Sequence, residues 1–426
     1  MMKRLAILCI PLIVAIFSYI ELYSMNLASS CSGKGSFRRA LNSALGICFT
    51  KPIYLITVTR SQGNCDAACG LGGVHHNRGN AVLAQADWQY ITNVLSDLCV
   101  DVGVIANLNP VLRPNEANLR AYISNNIGNL RGSCKIVVFN EAFFKKTHLT
   151  NAEYTSFING GGIVAPPAVG IIALSNACSR TIFYPNFLYE RPYNNLVDQA
   201  ILDRYNNAAN DLIIGPDTHV NFLVPGAMPG GVPPFPAHVV PTNIVTNETY
   251  GISRGNILTT YKKRSYFREA DFDIMNNNYI YDFGTGFDQA SYNGANVQLR
   301  KLRDTLLKYI RTEICMDLAC GVRHSNGWSN LNKDVGLLVL QSNRIDPLGM
   351  FLPSNNINHL PKNSSEHNIN ILYTDPIYSS RIGSNLFKID RSGAPILFRK
   401  EMNNTATLLF DGQDHAIIEI SVYRLN

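Results

Sequence analysis

Between residues 99 and 141 the chain reads strand, helix, strand, and that succession restricts the fold more than any other stretch. Val102-Gly-Val-Ile-Ala-Asn-Leu108 reads as a short buried strand. Pro114 and Asn115 then open a helix, in which Leu119, Tyr122, Ile123, Ile127 and Leu130 recur at helical spacing. The next apolar run, Lys135–Phe139, is a second strand and delivers Glu141 at its end. A helix that returns the chain between two strands buries its apolar stripe on the sheet they form, so a layered α/β (α+β) fold is expected.

The remaining segments fit such layers. Ile53–Val58, Ile257–Lys263, Arg311–Cys315, Val335–Gln341, Ile369–Tyr373, Ser384–Leu397 with a turn at Ser392-Gly393, Ala406–Phe410 and Ala416–Val422 read as strands. Leu299, Leu302, Leu306 and Ile310 mark an amphipathic helix over Val297–Ile310. Residues 150–245 are loop-rich, with Gly160–Pro167 and Pro225–Pro236 as loops, a helix over Asn195–Asn207 and a strand at Asp211–Gly215. Loops that long in a compact domain are pocket walls or lids in this reading. The division expected is residues 1–24 as a leader, 25–98 as an N-terminal extension and 99–426 as the main domain, with insertions around 150–245 and 276–310. No internal repeat is present.

At 426 residues, 46% hydrophobic and 16% charged, the chain can bury a large core. Its formal charge of +6, without a long Lys/Arg block, gives no electrostatic support to nucleic acid or an acidic membrane as partner. Lys3 and Arg4 ahead of the apolar run Leu5–Ile20 read as an export signal or, if uncleaved, a membrane anchor. A secreted, periplasmic or membrane-anchored protein is expected. Of ten cysteines, setting aside Cys9 in the leader and Cys315 leaves eight, an even number compatible with disulfides. Asn247, Asn363 and Asn403 head glycosylation sequons. Cys65, Cys69, His75 and His76 share a Gly-rich loop, but Cys-x3-Cys followed by adjacent histidines matches no common zinc pattern, and neighbouring histidines on an extended chain point apart. No metal and no cofactor are expected.

Three blocks carry chemistry. Glu141 ends an apolar strand, Lys262 and Lys263 end another, and Cys315 stands where a short strand closes, with Asp317 two residues on. A thiolate is a nucleophile, a carboxylate can take and return its proton, and an ammonium can stabilise an oxyanion. Each also has a plainer reading: Cys315 as a buried core thiol, Glu141 as a loop carboxylate, and one of the two lysines, by strand alternation, as solvated. Cys320 with His324 offers a rival thiol–imidazole pairing.

Val137-Val-Phe-Asn-Glu141, Tyr261-Lys-Lys263 and Glu313-Ile-Cys-Met-Asp317 resemble, in order and context, the three blocks of the nitrilase superfamily of carbon–nitrogen hydrolases. Val102–Pro110 with Asn118-Leu119 resembles that family's first strand and helix, and Gly383–Gly393 its late hairpin. The resemblance covers roughly residues 100–420. It implies a four-layer α-β-β-α sandwich in which Glu141 is general base and acid, Lys263 stabilises the oxyanion and Cys315 attacks, with the Met316 N–H completing the oxyanion hole. It further implies Glu269 as a second glutamate, with Asp271 as competitor, and His324 as a pocket residue. Export and Glu269 link the chain to the secreted pantetheinase and biotinidase branch. Asn140, Ser265 and Met316 depart from the usual proline, histidine and aromatic residue. The function implied is an exported amidase acting on a small-molecule amide through a thioester, with an acyltransferase or a non-catalytic binding protein on the same fold as alternatives. A homodimer through helical faces is expected by the same analogy.

Overall fold

The structure is a computed structural model that describes residues 36–62, 85–99, 116–146, 166–214, 241–264, 279–314, 317, 335–342, 370–375, 384–389, 395–410 and 414–425. In chain order its elements are α1 (Ser36–Leu45), β1 (Ile53–Gln62), α2 (Gln85–Cys99), α3 (Glu116–Leu130), β2 (Cys134–Phe139), β3 (Phe144–Lys146), α4 (Pro166–Ala177), β4 (Thr181–Tyr184), β5 (Asn186–Pro192) and α5 (Gln199–Ile214). There follow β6 (Asn243–Ser253), β7 (Asn256–Lys262), β8 (Tyr279–Tyr281), β9 (Gln289–Ala290), α6 (Val297–Tyr309), β10 (Ile310–Ile314), β11 (Leu337–Gln341), β12 (Asn370–Thr374), β13 (Asn385–Ile389), β14 (Pro395–Leu397), β15 (Met402–Phe410) and β16 (Asp414–Leu425). They make two sheets. The first runs β15-β16-β1-β2-β4-β6-β5-β3, with β7 and β8 also on β6 and β9 on β7; the second runs β10 to β14 in sequence order.

Strand alternation decides how the layers stack. On β1, Tyr54, Ile56 and Val58 share a buried cluster with Val137 and Phe139 of β2 and with Ile91, Leu119 and Ile171 of α2, α3 and α4. Their neighbours Ile53 and Leu55 point the other way, and with Ile136 and Val138 they pack on Leu337, Val339, Leu372 and Leu386 of the second sheet. The order is therefore helices, first sheet, second sheet. Each fully buried Leu or Ile in these clusters contributes about 1.5–3 kcal/mol. The outward face of the second sheet, including Leu338, Leu340, Ile371 and Tyr373, is buried as well. A fourth, helical layer beyond it is not among the described elements.

Several expectations hold. α3 covers the predicted stripe, with Leu119, Ile123 and Leu130 buried, and α6, β2, β10 to β14, β15 and β16 stand where periodicity put them. Three are corrected. Residues 25–98 are no separate extension, because β1 lies between β16 and β2 at the heart of the first sheet. The 150–245 and 276–310 segments are more than insertions: they supply β4, β5 and the start of β6 to that sheet, and α6 to the inter-sheet core. Asp211–Ile214 completes α5 instead of forming a strand, since a three-residue apolar run has no period of its own to resist the helix already running from Gln199. The Val102–Leu108 strand lies outside the described residues.

The disulfide expectation is corrected for the cysteines described. Cys48, Cys99, Cys134 and Cys178 all carry thiols, three of them buried and Cys48 exposed. Cys99 accepts a hydrogen bond from the Thr181 hydroxyl at 3.3 Å, and the Cys134 thiol faces the Lys135 carbonyl. They serve as small apolar residues under the helices and between the sheets. Among the described residues no helix is long and apolar enough to cross a membrane. The apolar run Leu5–Ile20 and the Cys65–His76 loop lie outside the described residues.

Candidate active site

β2 runs parallel to β1 and β4, and its C-terminal end opens a turn that carries Glu141. Three bonds hold that end. The Asn140 N–H donates to the Val58 carbonyl at 3.3 Å, the Asn140 side-chain oxygen accepts from the Arg60 N–H at 2.9 Å, and the Asn140 amide donates to the Glu141 carbonyl at 2.8 Å. Asn140 thus ties the ends of β1 and β2 with a side chain that proline would lack. Across the sandwich, the Glu141 N–H donates to the Ser342 carbonyl at 3.3 Å, just beyond β11. The Gln341 amide donates to the carbonyls of Phe139 and Tyr184 at 2.9 and 2.8 Å, so the two sheets are joined where their strands end.

Glu141 is buried, 4% exposed, and its side chain does not stand alone. Lys263 Nζ, 1% exposed, donates to Glu141 Oε1 at 2.7 Å, and Asn247 Nδ2 donates to the same oxygen at 3.0 Å. A buried carboxylate needs such partners, because an unpaired charge there costs several kcal/mol. Both donors reach Oε1, and Oε2 accepts no hydrogen bond among the described residues. Two of the three expected catalytic groups therefore meet at hydrogen-bond distance, from strands that the sequence separates widely.

The two lysines part company as strand alternation requires. Lys263 turns inward to Glu141, its N–H bonded to the Asn247 carbonyl at 2.9 Å. Lys262 turns the other way into an ion pair with Asp282, which Arg204 also approaches at 3.3 Å. Burial pulls the Lys262 ammonium down, but the carboxylates of Asp282 and Glu248 outweigh it and hold Lys262 above the ordinary lysine value. The expectation that one lysine is simply solvated is corrected, since Lys262 is paired. Gly284 lies so close beneath this segment that a Cβ there would sit 1.9 Å from the Lys262 carbonyl oxygen, and its N–H donates to the Lys263 carbonyl at 2.9 Å. Only glycine permits that approach.

The third block is tied to the second. Asp317 is fully buried; its carboxylate accepts from the Tyr261 hydroxyl at 2.6 Å and from the Arg264 N–H at 3.1 Å to each oxygen. On the other side of Cys315, Ile314 is in register with Gln341. Cys315 and Met316 themselves, with Ser265, Glu269, Asp271, Cys320 and His324, lie outside the described residues.

No protein-family model matches the chain, and no curated protein matches it. Solved structures do. An amidase from Nesterenkonia sp. is 8% identical with a TM-score of 0.33, over 89% of this chain and 92% of that one. A CN-hydrolase superfamily protein from Xanthomonas campestris, holding an arsenic adduct in its active site, is 12% identical with a TM-score of 0.31, over 73% and 85%. A glutamine-dependent NAD+ synthetase from Acinetobacter baumannii is 10% identical with a TM-score of 0.30, over 73% of this chain and 43% of that one.

Asn247 and Asn186 are the site residues that the sequence reading missed. Asn247 heads a sequon, yet it is fully buried against Glu141, so a glycan there is ruled out by burial. Asn186 opens β5 and is equally buried. The available signal was Asn247's place in an otherwise apolar and β-branched run, Ile244-Val-Thr-Asn247. An amide buried in such a strand needs a partner.

Proposed function

We propose that the chain is a thiol hydrolase of the carbon–nitrogen hydrolase type, cleaving a non-peptide amide with Cys315 as nucleophile, Glu141 as proton carrier and Lys263 as oxyanion donor. The observation that carries this reading is the buried Lys263–Glu141 pair at 2.7 Å. The block bearing Cys315 supports it from both flanks: Ile314 runs beside Gln341, which reaches the strand end that precedes Glu141, and Asp317 is held by Tyr261 and Arg264 on either side of the lysines. Two residues bridge those flanks, and one trans peptide step is about 3.8 Å.

In the reaction proposed, the Cys315 thiol gives its proton to Glu141 as sulfur attacks the carbonyl carbon. The oxyanion that forms is met by the Lys263 ammonium and the Met316 N–H. Collapse breaks the C–N bond, and the amine leaves with the proton from Glu141. Water, deprotonated by Glu141, then attacks the thioester, and the thiol recovers its proton as the acid departs. Glu269 is proposed as a second catalytic glutamate beside the triad and His324 as a residue lining the substrate, and export by the N-terminal segment belongs to the same proposal.

The test is release of ammonia or amine from a panel of small amides by the full chain. Cys315→Ala is expected to abolish release, by at least about a thousandfold, and Glu141→Gln to lower it by about 10²–10⁴-fold. Release that survives Cys315→Ala, or Cys315 found in a disulfide in the native protein, would sink the proposal.

A further inference from the structure

Three hydrogen bonds form a loop that leaves the Glu141 turn and comes back to the Glu141 carboxylate. The Ala142 N–H donates to Asn186 Oδ1 at 2.6 Å; Asn186 Nδ2 donates to Asn247 Oδ1 at 3.0 Å; Asn247 Nδ2 donates to Glu141 Oε1 at 3.0 Å. Lys263 Nζ closes on the same Oε1 at 2.7 Å, and its own N–H rests on the Asn247 carbonyl. Both asparagines are fully buried.

An asparagine amide can present its oxygen or its nitrogen, and only the nitrogen suits a carboxylate. Here the choice is made at a distance. A backbone N–H can only donate, so Ala142 fixes which end of Asn186 faces it; Asn186 must then donate to Asn247, and Asn247 must donate to Glu141. From this geometry we infer that Asn186 and Asn247 are positioning residues. Their relay holds the Glu141 carboxylate by Oε1 and leaves Oε2 as the oxygen that exchanges the proton. The inference rests on the reading of Glu141 as proton acceptor for Cys315.

The experiment uses the full chain and iodoacetamide as probe, with the alkylation rates of Cys315 and of the exposed Cys48 followed by peptide mass mapping at neutral pH. Cys48 is the internal control. Asn247→Leu, close in shape but without donors, is expected to slow Cys315 at least about tenfold, the loss of one hydrogen bond to a charged group, while Cys48 keeps its rate. Asn186→Asp keeps an acceptor for Ala142 and removes the donor that orients Asn247, and is expected to slow Cys315 likewise. In a Glu141→Gln background, Asn247→Leu is expected to add nothing, because its effect passes through the carboxylate. If Asn247→Leu does not melt cooperatively, Asn247→Ser takes its place in the same cycle. Unchanged alkylation in both asparagine variants, or additive losses in the cycle, overturns the positioning role. Glu141→Gln leaving Cys315 at its full rate would instead remove the base assignment itself.

Discussion

Ala142 occupies the left-handed region, with φ at +54°, directly after Glu141. For a residue with a Cβ this conformation costs about 1–2 kcal/mol, and it points the N–H at Asn186. Glycine adopts it without that cost but loses more entropy on folding, so Ala142→Gly is expected to leave stability unchanged or raise it by up to about 1 kcal/mol. Ala142→Val is expected to lower it by about 1–2 kcal/mol or more, both read from urea unfolding midpoints. Equal losses for the two substitutions would mean that the turn is not left-handed in solution. At this scale the sequence was informative about Glu141 and Lys263, because each ends a short strand whose pattern is local. Asn247 was hidden, because its partners Asn186 and Glu141 stand 61 and 106 residues away and its one local signal, a place in an apolar and β-branched run, competes with the sequon that it heads.

Among the elements, one amide bridges the strand ends at the junction of the two sheets. Gln341 ends β11 and spans to carbonyls at the ends of β2 and β4, where the ladder hydrogen bonds run out. Gln341→Leu would take the amide from two buried carbonyls, leaving that of Phe139 with the Thr374 hydroxyl at 3.4 Å. A loss of about 1–3 kcal/mol in urea unfolding is expected; a variant as stable as the parent would show that water or rearrangement replaces the amide. Elements with many periods, such as α3 and α6, were legible from spacing alone, since packing on one face enforces it. Short or displaced ones were not. Asp211–Ile214 was too brief to declare a period, and β1 was legible as a strand yet not as a central one, because neighbours in a sheet are chosen by tertiary pairing.

For the whole molecule, several phenols are enclosed so that the fold resists their ionisation. Burial raises Tyr54, Tyr184 and Tyr423 above the ordinary value, and burial together with the hydrogen bond to Glu401 raises Tyr122. The net shift of Lys262 has the same sign. A group whose folded value lies above its unfolded one supports the fold fully below the unfolded value, about 10 for both residue types, and that support is lost as pH climbs toward the folded value. Stability should therefore fall from about pH 10 upward. Tyrosinate absorbance at 295 nm should rise in two stages, the second coinciding with loss of circular dichroism. A single early stage, complete while the fold is intact, would contradict the burial of these rings.

The pairing of β1 with β16 places one of the earliest strands beside the latest. At ordinary translation speeds β1 leaves the ribosome on the order of tens of seconds before its partner exists. Until then one edge of the central sheet offers a row of unpaired N–H and C=O groups, the template on which strands of other chains add. The nascent protein therefore passes through an interval of exposure that the finished fold conceals.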